Sequence, residues 1–378
     1  MIRSEFLNRL EKALGNLNWE QKKEVLYDYE EYFDNALSDG KTEEQAALEL
    51  GNPEEIALNY FQNDDKEEKG FGHGGTFASA IKGMFKTALD FASKSINEAL
   101  KLEKIEIDSS INSEVSLANS LKISGCKGAD VRVIKTATSC FQGKLKGIAS
   151  TDPEKVPCLS FSHDANEKAI SFFIDWKGQR TASLSGEISI EIPESFSGAV
   201  AVETVSGSLL QLPSGLSDLT FKSVSGEVLE ENISLNNDLR ISTVSGKLNS
   251  PFISCNHLHF KSVSGGLTTR LEKIAEVKFD STSGGLNLIL NEGGGKVDFN
   301  TISGGVKLNL NKDSGINLNF KSISGRLKTE LPFVVEKEKK GYGSYTFTGN
   351  LQGDKQIEIN GKTISGGLKI QKEDSSHE

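Results

Sequence analysis

Between residues 104 and about 370 the apolar positions fall two apart. Leu219/Phe221, Leu239/Ile241, Leu258/Phe260, Val277/Phe279, Val297/Phe299 and Leu318/Phe320 form one series, and Leu286/Leu288/Leu290 with Val306/Leu308/Leu310 form another. Alternation at this period describes strands with one buried face, and no helical spacing competes with it. A tetrapeptide, Ser/Thr-x-Ser-Gly, separates the two series. Its glycines are Gly186, Gly207, Gly226, Gly246, Gly265, Gly284, Gly304, Gly325 and Gly366, at steps of 21, 19, 20, 19, 19, 20, 21 and 41 residues. A period held this closely marks a repeat architecture. The last step reads as two units enlarged by a hairpin around Lys340-Gly341-Tyr342-Gly343. The 61 residues from Gly125, in Ile123-Ser124-Gly125, to Gly186 read as three units.

Units of this length cannot bury a core alone, but stacked units can. The pattern therefore predicts a mainly β fold: a single-stranded β-solenoid, parallel β-helix-like, with coils of about 20 residues. About thirteen coils at ~4.8 Å each give a rod on the order of 60 Å. Phe221, Phe260, Phe279, Phe299 and Phe320 take the same inward position, a phenylalanine ladder that accounts for 20 Phe against 6 Tyr and 2 Trp. The motif is assigned to a corner of every coil: Ser185-Gly186, Ser206-Gly207, Ser225-Gly226, Ser245-Gly246, Ser264-Gly265, Ser283-Gly284, Ser303-Gly304, Ser324-Gly325 and Ser365-Gly366. Glycine there supplies a positive φ or close backbone approach, and the hydroxyl bonds local backbone or its neighbour one coil away. A row of hydroxyls as a sugar-binding face is the sharper alternative.

Residues 1–62 carry a helical pattern instead. Phe6, Leu7, Leu10 and Leu14 share one face of a helix over about 3–15. A second helix opens at Asn18 with Gln21 in capping-box position, carries Val25, Leu26, Tyr29, Phe33 and Leu37 on one face, and ends near Gly40. A third opens at Thr42, breaks at Gly51 and restarts at Asn52-Pro53, giving a small three-helix domain. Residues 63–76 form a polar, glycine-rich linker. Residues 77–103 form an amphipathic helix, with Phe77, Ile81, Met84, Phe85, Ala88, Ala92, Ile96 and Ala99 opposite a lysine face. That helix caps the open end of the solenoid, or touches a membrane surface peripherally. Residues 371–378 are a polar tail.

Charge separates the two parts. Residues 1–69 hold 18 acidic and 8 basic residues and carry the whole net charge of −10; the remaining 309 hold 35 of each. An acidic head and a neutral remainder lack the electrostatic footprint of a nucleic-acid binder. No apolar leader follows Met1, and no run approaches 18 apolar residues, so neither export by a signal peptide nor a membrane-spanning helix is expected. Cys126, Cys140, Cys158 and Cys255 form no CxxC pair and read as reduced thiols. The expected location is the cytoplasm, in part at the inner membrane face, with the cell surface as the alternative.

Two resemblances sharpen this picture. Tyr27-Asp28-Tyr29-Glu30-Glu31-Tyr32-Phe33, Leu37-Ser38-Asp39-Gly40-Lys41-Thr42-Glu43-Glu44 and Leu50-Gly51-Asn52-Pro53-Glu54-Glu55-Ile56-Ala57 together resemble the HAAS-type helical domain that accompanies PadR-type regulators and sensors of Gram-positive bacteria. That resemblance covers residues 1–62 and implies a signalling or protein-interaction role, with a regulator or membrane protein as partner. The repeated Ser-x-Ser-Gly-x-Leu units over about 104–370 resemble a bacterial adhesin-like β-solenoid family, whose members resemble components of cell-envelope stress responses or surface proteins.

Catalysis is not expected. Polysaccharide-active β-helices cluster acid and base groups on one face, and the units here show no recurring Asp pair and no concentration of Arg. Cys255-Asn256-His257-Leu258-His259 is the one metal-like pattern; as a strand it would aim Cys255, His257 and His259 at solvent, with i, i+2 spacing too long for a shared ion. No catalytic residue, metal or cofactor is assigned, and no small-molecule ligand is specified. The expected function is that of a non-enzymatic signalling scaffold linked to envelope stress. A surface adhesin or envelope-glycan-binding module is the alternative, and a polysaccharide-active enzyme a distant third.

Overall fold

The computed structural model describes residues 2–13, single positions of the head (26, 30, 33, 37, 42–44, 47 and 53), and residues 102–372 apart from 180–181, 291–294 and 342–343. The linker 63–76, nearly all of the expected helix 77–103 and most of the polar tail lie outside the described residues. The chain divides into two units, Met1–Asn97 and Glu98–Glu378.

In the first unit, helix α1 spans Arg3–Ala13, with Glu5 in its first turn and Lys12 in its last, each favoured by the helix dipole. At its N-terminus the Arg3 amide, which has no carbonyl of the helix to bond, donates to Glu43 Oε2 at 2.9 Å. Phe6 and Leu10 are buried with Phe33 and Ala47, and the Phe6 and Phe33 rings meet edge to face at 5.4 Å. Leu26, Glu30, Phe33, Leu37, Glu43, Glu44, Ala47 and Pro53 are helical, and the rest of the expected second and third helices lies outside the described residues. Leu37 is exposed rather than part of the core stripe: it comes one turn past Phe33, the residue that meets Phe6.

The described residues of the second unit form 25 strands. Its N-terminal part comprises β1 (Glu103–Asn112), β2 (Ser120–Cys126), β3 (Ala129–Thr136), β4 (Gln142–Thr151), β5 (Cys158–Asp164), β6 (Ala169–Asp175) and β7 (Ser183–Pro193). The regular part comprises β8 (Ala199–Thr204), β9 (Leu209–Gln211), β10 (Leu219–Ser223), β11 (Asn232–Ser234), β12 (Asp238–Thr243), β13 (Leu248–Ser254), β14 (His257–Ser262), β15 (Leu267–Lys273), β16 (Glu276–Ser281), β17 (Leu286–Leu290), β18 (Gly295–Thr301) and β19 (Val306–Leu310). The C-terminal part comprises β20 (Ser314–Ser322), β21 (Leu327–Lys328), β22 (Val334–Gly341), β23 (Ser344–Leu351), β24 (Lys355–Thr363) and β25 (Leu368–Lys372).

Successive coils pair in parallel, as solenoid stacking requires: Phe221 lies opposite Ile241, Ile241 opposite Phe260, Phe260 opposite Phe279 and Phe279 opposite Phe299. One large sheet has the order β22-β23-β20-β24-β18-β16-β14-β12-β10-β8-β2-β6-β5. The second strand of each coil joins a facing sheet, β1-β4-β7-β3-β9 or β11-β13-β15-β17-β19-β25-β21. Buried Val228 bridges these two through Leu209 and Leu248.

Spatial order departs from chain order at both ends. The coil of β2 and β3 sits between the coil of β6 and β7 and that of β8 and β9. The coil of β24 and β25 likewise inserts between the β18/β19 coil and the β20/β21 coil. Antiparallel strands finish each end: β5, β4 and β1 at one, β23 and β22 at the other. The expected thirteen coils are therefore ten, the thirteen strands of the large sheet less antiparallel β5, β22 and β23. The three strands that are not coils belong to hairpins, which pair locally and end the parallel stack at antiparallel strands.

The phenylalanine ladder is also longer and less regular than expected. One inward column runs Phe161, Phe172, Ile123, Val202, Phe221, Ile241, Phe260, Phe279, Phe299, Gly361, Phe320, Phe347 across neighbouring strands. Phe260 and Phe279 stack at 5.5 Å with planes 6° apart. Phe320 does not follow Phe299 directly; Gly361 lies between them. Lacking a side chain, Gly361 lets rings two coils apart approach to 6.3 Å. A Cβ there would strike the Phe299 ring, whose Cε2 and Cε1 would lie 2.5 and 2.7 Å away.

Candidate functional site

Two surfaces of the solenoid repeat often enough to recognise something: the corner column and the outer face of the large sheet. At each corner the chain leaves a large-sheet strand through a buried Ser or Thr, crosses one residue, half-buried except at buried Ile364, and an exposed Ser, and reaches the glycine. The buried hydroxyl does the fixing. Gly207, Gly226, Gly246, Gly265, Gly284, Gly304 and Gly325 donate N–H to Thr204, Ser223, Thr243, Ser262, Ser281, Thr301 and Ser322, at 2.6–2.9 Å. Several of these hydroxyls also donate to a carbonyl one coil away, such as Ser223 to Val205 at 3.2 Å and Ser262 to Val244 at 3.3 Å. A buried N–H left without a partner would cost free energy, so this hydroxyl is part of the fold. These residues open the Ser/Thr-x-Ser-Gly tetrapeptide, three before each glycine, and were not among the Ser-Gly pairs to which the sequence assigned the corner.

The glycines serve close approach, not a left-handed φ. A Cβ on Gly226, Gly246, Gly265, Gly284 or Gly304 would collide with the glycine carbonyl oxygen of the adjacent coil, whose carbonyl carbon is itself 2.7–3.0 Å away. Gly366 stacks on Gly304 and Gly325 on Gly366, following the swapped order. Ser185-Gly186 is not a corner. It lies inside β7, where Gly186 faces Gly147 of antiparallel β4, and Ser185 is likewise a strand residue. The motif recurs there because glycine is again needed where two backbones nearly touch.

Ser206, Ser225, Ser245, Ser264, Ser283, Ser303, Ser365 and Ser324 form an exposed hydroxyl column in that spatial order, one per coil at ~4.8 Å. Most are weakly tied to the next coil, as Ser245 to the Val224 carbonyl at 3.4 Å and Ser365 to that of Ile302 at 3.3 Å.

The outer face of the large sheet is an ion-pair lattice. Asp238, His257, Glu276, Lys296 and Glu358 stand in one column, and Arg240, His259, Lys278, Asp298 and Asn360 in the next. Asp238 pairs with Arg240 and with His257 Nδ1, the latter at 2.8 Å. Burial opposes ionisation of Asp238, but the His257 hydrogen bond and the nearby Arg240, His257 and His259 charges together hold its carboxyl below the usual range. His259 stands between Arg240 and Lys278; burial first, then those two cations, pushes its imidazole below its ordinary value. Lys296 reaches Asp298 at 2.9 Å and is held above its usual range chiefly by that hydrogen bond. Glu203 accepts from Lys122 at 2.9 Å and Lys222 at 3.4 Å. Such pairs are solvated and contribute little each to stability.

The Cys255-to-His259 stretch needs one correction. Cys255 does not face solvent with the histidines: it is 3% exposed, and burial foremost pushes its thiol up to about 12. Strand alternation starts only at His257, so the turn at Cys255-Asn256 rotates the thiol into the core. Among the described residues no group of His, Cys, Asp and Glu is placed to hold a metal ion. No described helix is long and apolar enough to cross a membrane.

Comparison with known proteins agrees with this division of the chain. Residues 5–59 match the HAAS family, and residues 185–371 match the family Toastrack DUF4097. The second match begins at residue 185, within β7 and well after residue 104. No curated protein matches the chain. A crystal structure described as a candidate cell adhesion protein from Clostridium sporogenes aligns at 15% identity and TM-score 0.23, over 71% of this chain and all of that one. A candidate adhesin from Parabacteroides distasonis aligns at 11% identity and TM-score 0.38, over 72% of this chain and 97% of that one.

Proposed function

From a chain that carries a HAAS domain at residues 5–59 and a Toastrack DUF4097 domain at residues 185–371, we propose a non-enzymatic regulatory scaffold in bacterial cell-envelope stress signalling, acting in the cytoplasm or at the inner membrane face. The acidic head takes a protein partner, a regulator or a membrane protein, and the solenoid supplies a rigid surface. The union of these two domains in one chain carries this reading. The surface chemistry agrees with it, because the outer-sheet carboxylates are engaged by lysines, arginine and histidine in structural pairs rather than gathered into an acid/base site.

The test is location followed by contact. Intact cells are treated with protease and then fractionated, and a photo-crosslinker at exposed Leu37 reports the neighbours of the head. Protection from protease with a discrete protein adduct at Leu37 is the expected result. Loss of the protein from intact cells would sink the scaffold reading. A second reading, an envelope-glycan-binding surface module, is favoured by the exposed serine column. It requires surface exposure and glycan binding that falls when Ser245, Ser264 and Ser283 become alanine.

A further inference from the structure

The inward column of the large sheet ends differently at its two ends. Beyond Phe347 the last position, on β22, is Glu338. Its carboxylate accepts from the Tyr345 hydroxyl at 3.1 Å and pairs with Lys340 Nζ at 2.9 Å. A charge on the core side of an edge strand blocks further strand addition. β22 also carries Glu336, Lys337, Glu338, Lys339 and Lys340 in succession. Two copies of it paired antiparallel about Lys337 or Glu338 would oppose like charges.

At the other end, past Ile123 and Phe172, the last position is Phe161 on β5, half-buried and tilted against Phe172 at 6.0 Å. Among the described residues the large sheet stops at this strand. Its sequence, Cys158-Leu159-Ser160-Phe161-Ser162-His163-Asp164, has no lysine, arginine or proline to guard the edge, and its only carboxylate is at the end. A groove lined by Asn112, Glu114, Val115, Ser116, Leu117, Phe161 and His163 opens beside it, Glu114 its one charged residue, and Leu117 is 76% exposed.

We infer that β5 is a homodimerisation edge, its occupant the β5 strand of a second copy. A two-fold axis through Phe161 makes the pairing isologous. Phe161 then meets the second copy's Phe161 and continues the core column, Ser160 lies opposite Ser162, and Leu159 lies opposite His163. Outward N–H and C=O groups of alternate residues find partners, as an antiparallel pair requires. The segment Ser160-Phe161-Ser162 is its own complement, which β22 is not. One strand pair with its flanking groove is a small interface, so association in the micromolar range, ~1–100 µM, is expected.

The whole chain is followed by sedimentation across a concentration series spanning that range. The expected result is passage from the 41.0 kDa monomer to a species of about 82 kDa. Ser160 and Ser162 face away from the core, so S160K/S162K and S160E/S162E should fold yet each lose association at least ~tenfold by like-charge opposition. An equimolar mixture of the two variants should recover it, which no folding defect would produce. In the unsubstituted chain, amide exchange over 159–163 should slow as concentration rises. A chain monomeric throughout with these amides already protected would show the edge covered from within the chain and overturn the inference. A dimer untouched by the substitutions, or no recovery on mixing, would overturn it equally.

Discussion

Gly361 offers the sharpest test of how the swapped coil is accommodated. It lies between Phe299 and Phe320 at the inward position, and every other residue of that column from Phe161 to Phe347 carries a side chain. In Gly361→Ala the new methyl would meet the Cζ, Cε2 and Cε1 atoms of Phe299, the farthest at 2.7 Å. Ordinary carbon contacts are ~3.5–4.0 Å, so the ring must retreat by about 1 Å or more. Phe299 is 1% exposed and held between Phe279 and Phe320, so it has nowhere to go. Overpacking of this kind costs about 1–3 kcal/mol, and the upper end applies where neighbours cannot give. Because solenoids open locally, the assay is amide hydrogen exchange rather than a single melting point. About 3 kcal/mol corresponds to ~100-fold faster exchange in β20 and β24, with β10 to β14 nearly unchanged. Phe299→Leu shortens the side chain and should relieve the clash, so the double variant should cost less than the sum of the single ones. Unchanged exchange in β20 and β24, with strictly additive costs in the double variant, would refute the claim that the missing Cβ lets the rings meet.

Other predictions rest on the corners, the edges and the titrating groups. Gly246→Ala should unfold its coil, whereas Ser245→Ala, at an exposed hydroxyl, should change stability by about 0.5 kcal/mol or less in denaturant titration. Ser262→Ala strips the acceptor from the Gly265 N–H and should cost about 1–3 kcal/mol. His259 has a folded pKa below its ordinary 6.5, so its contribution is full above that value and declines as pH falls through it, because the unfolded chain then binds the proton first. His259→Gln should flatten that part of the stability profile measured by urea unfolding. Replacing Glu338 and Lys340 with valine should convert β22 into an aggregating edge, read by light scattering. Native Cys255 should resist alkylation at neutral pH, its thiol lying near 12, and react only on denaturation.

The period of twenty, the two-residue alternation and the glycine corners were legible in the sequence because each is local: a strand's buried face, a turn's backbone approach and a repeat's length leave marks on neighbouring residues. Helix α1 was legible for the same reason, with Phe6 and Leu10 at helical spacing. Stacking order was not. Val297/Phe299 and Leu318/Phe320 read as successive coils, yet β24 enters between them, and nothing within β18, β20 or β24 states which edge each strand will meet. Strands of one alternating pattern are interchangeable partners until hairpins such as β5/β6 and β22/β23 occupy the ends. Gly361 is the single trace of that choice, legible only once Phe299 and Phe320 are known to lie on either side of it. Local sequence determined what each coil looks like, and tertiary pairing decided which coils are neighbours, where Cys255 points, and that one end of the core column closes on Glu338 while the other stops at Phe161.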